Sequence, residues 1–275
     1  MRILKKESIH NANIYSLSEY VNLIGNHRQL WITLAKRDIK VKYVQSKLGL
    51  LWSIIQPITA ILIYSLFFKY VFKLEFNEYP YYLYVFAGIL PWTLFSYLLN
   101  QGSYSLIQNQ ELIHKLNFPK LLLISAKALV SMVEIMPALI ILLIVTFISG
   151  DANYIGWVFI PLIILLNLIV AIIPPLWISA FSLRYRDTLH AIPYLGNFGI
   201  WLTPIFWVPE NSPMIIQRLT NYNPLTFVLY LYRWALFGDN IIWDGLWSML
   251  FFIGIFLPFG LMYFKNQEKH IIDLI

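Results

Sequence analysis

The chain has 275 residues, of which 59% are apolar and 12% charged. A soluble domain carries about half apolar and about a quarter charged residues, so an ordinary soluble fold is excluded. The formal charge is +6, from 20 Lys and Arg against 14 Asp and Glu, and cysteine is absent, which excludes disulfides, thiolate metal sites and cysteine nucleophiles.

Mean hydropathy is +0.65, and long uncharged stretches recur along the chain. Residues 1–47 are polar, with no short apolar core near Met1, and do not read as a cleaved signal peptide. Within them Trp31, Leu34, Ala35 and Ile39 fall on one helical face, with Lys36, Arg37 and Lys40 on the other. That pattern predicts an amphipathic helix lying in the membrane interface; a basic juxtamembrane stretch held by anionic lipid is the alternative. A bilayer core of about 30 Å needs about 20 helical residues. Six spans are predicted, at about 48–68, 83–100, 121–148, 156–180, 188–208 and 243–264, which makes 48–264 one transmembrane domain. Residues 265–275 form a short tail. The third span carries Lys127 and Glu134, and the fourth carries Pro174-Pro175, which brings its straightness into question.

Two connections have structure of their own. Residues 101–120 predict a short helix ending before Pro119, because a residue preceding proline disfavours helical geometry. Between spans five and six, Pro209, Pro213, Asn223-Pro224 and Gly238 interrupt a semi-apolar segment. It is too broken for two further spans and predicts short re-entrant or interfacial helices at the outer face.

The distribution of Lys and Arg sets the orientation. Sixteen lie in the N-terminal segment, the 101–127 region, at Arg184 and Arg186, and at Lys265 and Lys269; four, Lys69, Lys73, Arg218 and Arg233, lie on the opposite side. Both termini are therefore predicted to be cytoplasmic. The positive charge marks that face and its anionic lipid rather than a nucleic-acid partner.

Catalytic signatures are missing. No phosphate-binding G-x-x-x-x-G-K-[ST] loop and no clustered histidines occur, so no catalytic or metal residues are assigned. Lys127 and Glu134 share a helix face. Lys127 reads as a snorkelling side chain; Glu134 reads as a partner of a neighbouring helix, a polar-lumen residue or a transport relay. Tyr79, Tyr81, Tyr82, Tyr84 and Trp243 read as an interfacial belt. The in-span aromatics Trp52, Tyr64, Trp92, Phe95, Tyr97, Trp201 and Trp207 are candidates for a conduit wall, since rings present an apolar face to the C–H faces of sugars.

Several ordered motifs carry a resemblance. They are Arg37-Asp38-Ile39-Lys40-Val41-Lys42-Tyr43, Gln45-Ser46, Leu48-Gly49-Leu50-Leu51-Trp52 and Gln56-Pro57, then Phe118-Pro119-Lys120, Leu183-Arg184-Tyr185-Arg186-Asp187, Thr203-Pro204-Ile205, and Asn223-Pro224-Leu225 with Arg233-Trp234-Ala235-Leu236-Phe237-Gly238. Together they resemble the ABC-2 type permeases, in the branch exporting O-antigen, teichoic acid or capsule polysaccharide.

The resemblance implies an all-α, six-span, non-catalytic permease of the bacterial cytoplasmic (inner) membrane. It would form a homodimer and bind two copies of a separate ABC ATPase, which holds the ATP and Mg; this chain would need no cofactor. The substrate would be a lipid-linked polysaccharide. ATPase coupling would fall on Gln110, Glu111, His114, Lys115, Phe118, Pro119, Arg37, Asp38, Arg184, Arg186 and Asp187. Asn223, Pro224 and Arg233 would form an outer gate. The competing expectations are efflux of a small drug or lipid, and a membrane glycosyltransferase or polymerase.

Overall fold

The computed structural model describes residues 17–44, 51–70, 80–209, 212–268 and 271, and among them it is entirely helical. The Gln45-Ser46 and Leu48-Gly49-Leu50 parts of the motif, Tyr79 of the expected belt and the side chain of Tyr64 lie outside the described residues. Helices α1 (Leu17–Asn26) and α2 (Arg28–Val44) precede α3 (Trp52–Tyr70), which is 19 residues long and occupies the place of the expected first span. Helix α4 (Tyr81–Tyr97) runs on through a π turn, Leu98–Gly102. Two short helices follow, α5 (Ser105–Gln108) and α6 (Gln110–Lys115), and then α7 (Leu121–Ser149). Gly150, at φ 83°, ends α7 in the left-handed conformation that glycine adopts at least cost.

Helix α8 (Tyr154–Trp157) leads into α9 (Ile160–Ser182). A 3₁₀ turn, Arg186–His190, opens α10 (Ala191–Leu202). Helices α11 (Met214–Tyr222), α12 (Pro224–Phe237), α13 (Asp244–Phe251) and α14 (Leu257–Glu268) complete the chain, the last two joined by a π turn at Phe252–Phe256.

Among the described residues, four helices are long and apolar enough to cross a membrane: Tyr81–Gly102, Leu121–Ser149, Ile160–Ser182 and Asp244–Glu268. The expected span at 188–208 is not one helix. Its α-helical part has 12 residues, a rise of about 18 Å against a core of about 30 Å. The helix stops at Thr203, at φ −103° and ψ 135°, the extended geometry that the following Pro204 imposes. By contrast, Pro174 and Pro175 leave α9 unbroken. A Cβ on Gly102 would lie 2.8 Å from Cβ of Pro175, so the π turn of α4 and the proline pair of α9 meet only because residue 102 has no side chain.

The α4 segment is the most enclosed of the four long helices, 72% buried in its apolar window. Leu83, Val85, Leu90 and Leu94 pack against α7, α9 and α12 in the larger apolar cluster. Helix α12 belongs to that cluster too: Val228, Leu229, Tyr232 and Ala235 are fully enclosed. A second cluster gathers Tyr20, Leu34, Ile113, Phe118, Leu183 and Phe264, bringing α1 and α2 together with α14.

At the far end, α8 is held against α12. Asn153 Nδ2 donates to Trp234 O at 2.8 Å, and its Oδ1 caps α8 by accepting from Gly156 N. A Cβ on Gly156 would sit 2.4 Å from Ala235 O, a backbone atom that cannot swing aside. Gly156→Ala should therefore lower stability by about 1–3 kcal/mol, the usual cost of overpacking. Gly254→Ala, which meets nothing within 4 Å, should leave the thermal melting of the purified chain unchanged.

Candidate functional site

Three constellations of polar side chains stand out, two beside the second apolar cluster and one deep in the far half. The first joins α2 to α7. Lys127 Nζ lies 2.8 Å from Asp38 Oδ2, and Lys42 Nζ lies 2.6 Å from Glu134 Oε1. Tyr43 donates to the same Glu134 oxygen at 3.2 Å. The pairs occur in the same order along both helices, so the last turns of α2 run beside α7 in the same direction. Leu34 and Ala35 are buried as the amphipathic pattern predicts, while Asp38 and Lys42 of the same helix pair with α7. Lys127 does not snorkel; it is 7% exposed and paired with a carboxylate.

Arg37 extends this network by donating to Asp38 Oδ1 at 2.8 Å and to Asn109 Oδ1 at 2.7 Å. Asn109 is buried and in turn donates to Ser105 O at 2.8 Å, which ties α2 to the 105–109 turn. A cavity of about 530 Å³ opens beside these groups, lined in part by Arg37, Asp38, Lys42, Tyr97, Asn109 and Lys127. Lys42 Nζ stands 5.3 Å from the centre of the Tyr97 ring, within cation–π range.

The second constellation ties the Phe118-Pro119-Lys120 turn to the last helix. Glu268, 6% exposed, accepts from the Lys120 backbone N–H at 2.6 Å and from the Tyr20 hydroxyl. Lys120 Nζ folds back onto Phe118 O at 2.9 Å. Burial pushes the Tyr20 hydroxyl well above its ordinary range, and the Glu268 charge pushes it further. Burial lowers the Lys120 ammonium, and Glu268 partly offsets that. Phe118 and Pro119 are buried, whereas Glu111, His114 and Lys115 of α6 point outward and Gln110 is half-buried. The 183–190 turn lies nearby: Tyr104 donates to Leu189 O at 3.0 Å, with Arg184, Arg186 and Asp187 exposed.

The third constellation surrounds Arg233, 2% exposed on α12. Its guanidinium donates to Pro204 O at 2.9 Å and Ile205 O at 3.3 Å and lies 3.4 Å from the centre of the Tyr84 ring. Tyr81 donates to Phe206 O at 2.8 Å and Tyr84 to Trp207 O at 3.0 Å. Four consecutive carbonyls freed by the break after α10 are thus satisfied by three side chains. Asn223 donates to Thr203 Oγ1 at 2.9 Å and caps α12 by accepting from Leu225 N, with Pro224 opening that helix. Tyr81 and Tyr84 are therefore interior carbonyl donors, not members of an interfacial belt; Tyr82 and Trp243 are exposed.

The aromatic candidates separate. Trp92 is 8% exposed, its ring 5.4 Å from that of Phe95 and against Gly199. Trp52 and Trp201 are exposed on the single chain, and Trp207 is half-buried. Exposed aromatic and aliphatic residues line much of α10, including Tyr194, Leu195 and Phe198. Reading the sequence missed Asn109, Tyr20 and Glu268 as site residues, as well as the partners of Lys127 and Glu134. One signal was present: Asp38 and Lys42 lie four apart on one face of α2 and carry charges opposite to Lys127 and Glu134 in the same order. Among the described residues no cluster could hold a metal ion.

The family described as "ABC-2 type transporter" matches residues 29–237, which hold all three constellations except Tyr20 and Glu268. The chain is 25% identical over 254 residues to the O-antigen export system permease protein RfbA of Klebsiella pneumoniae, covering 92% of this chain and 97% of that protein. It is 25% identical over 230 residues to RfbA of Myxococcus xanthus, covering 82% and 86%. It is 22% identical over 240 residues to the polysialic acid transport protein KpsM of Escherichia coli, covering 85% and 91%.

Two predictions follow from the geometry. Glu134→Lys sets two like charges together and should destabilise the purified chain, and adding Lys42→Glu should restore about 1–2 kcal/mol of coupling in a double-mutant cycle read by thermal melting. Arg233→Lys keeps the charge but loses the planar fork that reaches two carbonyls, so it should lower stability nearly as much as Arg233→Ala, by about 2–4 kcal/mol in the same assay.

Proposed function

The chain belongs to the ABC-2 type transporter family, and from that premise we propose that it is the membrane permease of an ATP-driven exporter of lipid-linked polysaccharide. The relatives named as O-antigen and polysialic acid transport proteins match over most of their own length, which supports polysaccharide as the cargo. In this reading the chain spans the bacterial inner membrane six times with both termini cytoplasmic, α10 and the 203–207 turn together serving as the fifth crossing. ATP and Mg bind to a separate ATPase, two copies of which serve a permease dimer.

The observation that carries the mechanism is the convergence of two cytoplasmic elements on α7. Helix α6 exposes Glu111, His114 and Lys115 while Ile113 anchors it in the second cluster. Phe118-Pro119-Lys120 joins it directly to the first turn of α7. Helix α2 grips α7 two turns further along through Asp38 and Lys42. A partner that pushes on α6 therefore displaces α7 and α2 together. Phe118 and Pro119 act as the buried hinge of this contact, and the exposed face of α6 as its docking surface.

A polymer of hydroxyls cannot cross hydrocarbon without a lined path, because each unpaired polar group costs a few kcal/mol. The exposed faces of α3 and α10, with Trp52 and Trp201, supply a wall that a second copy would close. The outer gate rests on Arg233 and Asn223, which hold the end of α10 against α12.

In a strain lacking its own polysaccharide-export permease, this chain expressed with its ATPase should restore surface polymer. His114→Glu with Lys115→Glu should abolish both export and ATPase co-purification with the melting temperature unchanged. Export at the unaltered level in that variant would remove α6 from the interface. Failure of the unaltered pair to display polymer, with a change in drug resistance instead, would favour small-molecule efflux.

A further inference from the structure

A groove between α11 and α13 belongs to none of the constellations above. It encloses about 800 Å³, a ligand-sized volume. At one end stand Arg218, Asn221 and Asp244; the rest is aromatic, with Trp247, Phe251 and Phe256 among its walls. Its floor is the segment Asp244–Glu268, whose apolar window is 17% buried, the least covered of the four long helices.

Two features fix the class of occupant. The first is depth. From Asp244 to Phe256 the chain rises about 18 Å, close to the roughly 15 Å hydrocarbon depth of one leaflet. The polar end therefore sits at headgroup level and the aromatic slot reaches toward the bilayer centre. The second is charge. Among the described residues, the Arg218 guanidinium has only the Met214 sulfur at 3.5 Å, and Asp244 only the Asn221 amide at 3.4 Å. A cation and an anion that form no ion pair among the described residues thus stand at the mouth, and they match a headgroup with a phosphate and an ammonium. A lone anion would meet Asp244 unfavourably. A second copy of the chain fits less well, because two concave grooves facing each other across a twofold axis leave a void.

We propose that this groove binds one zwitterionic aminophospholipid of the phosphatidylethanolamine type, with its phosphate on Arg218, its ammonium on Asp244 and an acyl chain against Trp247, Phe251 and Phe256. The proposal does not depend on which molecule is exported.

The test uses the purified full-length chain, stripped of native lipid in detergent and incubated with equal amounts of palmitoyl-oleoyl phosphatidylethanolamine and phosphatidylglycerol. Lipid retained after gel filtration is counted by mass spectrometry. The expected result is about one phosphatidylethanolamine per chain, favoured about fivefold or more, the upper range for an exposed charge pair. Arg218→Ala should bring retention to background. Asp244→Asn should keep a phospholipid bound but bring the two lipids to near-equal occupancy. Equal retention of both lipids by the unaltered chain, or unchanged retention in Arg218→Ala, would overturn the proposal. So would loss of dimer in Trp247→Ala with lipid retention intact, which would assign the groove to a second copy.

Discussion

Two ammonium–carboxylate pairs between α2 and α7 are the constraint on which the half of the structure around the second apolar cluster depends. Lys127 is almost completely enclosed and tolerable there only because Asp38 lies 2.8 Å away. A buried charge deprived of its partner costs several kcal/mol, so moving α2 away from α7 would leave Lys127 uncompensated. That cost holds the two helices together, and the more exposed Lys42–Glu134 pair adds to it. The pairs also fix the cavity beside Arg37 and Asn109, whose walls are the same side chains.

The far half solves a different problem with different chemistry. Pro204 ends α10 and frees a run of carbonyls in an apolar setting, where unpaired backbone is costly. Arg233, Tyr81 and Tyr84 supply the missing donors. Arginine suits the position because its delocalised charge is weakly hydrated, spans two carbonyls and lies over a ring. A break that would weaken an isolated helix becomes a fixed bend between α10 and α12. The two halves are joined through α4, α7 and α9, whose close approach at Gly102 and Pro175 leaves no room for sliding at that level.

Much of this was legible in the sequence. Long uncharged runs marked α3, α4, α7, α9 and the last helix pair, and breakers marked the short helices between 209 and 241. The helical character of 101–120 followed from its regular apolar residues and its end before Pro119 from proline sterics, though the structure divides it into α5 and α6. The failures share a cause: helical periodicity shows which residues share a face, not what that face meets. Lys127 read as a snorkelling residue because its position near a helix end allows it; only α2, distant in sequence, turns it into half of an ion pair. Tyr81 and Tyr84 read as belt residues because tyrosine at a span end usually is; their true role depends on carbonyls more than 120 residues away. The span at 188–208 was uncharged enough to cross, but hydropathy does not register the kink that Pro204 forces. Glu268 gave no signal, since one acid near a terminus normally lies in solvent.

The most direct test of the central claim is a distance. Because the chain has no cysteine, spin labels can be placed at Lys36→Cys on α2 and Ile140→Cys on α7, both exposed positions. Double electron–electron resonance on the permease in complex with its ATPase, with the labelled chain diluted into excess unlabelled chain so that pairs within one chain dominate, should then give one narrow distance distribution, unchanged between nucleotide-free and ATP-bound states, because α2 and α7 move together. A distribution that shifts by several ångströms or broadens on ATP binding would show that α2 slides over α7 and would contradict the account.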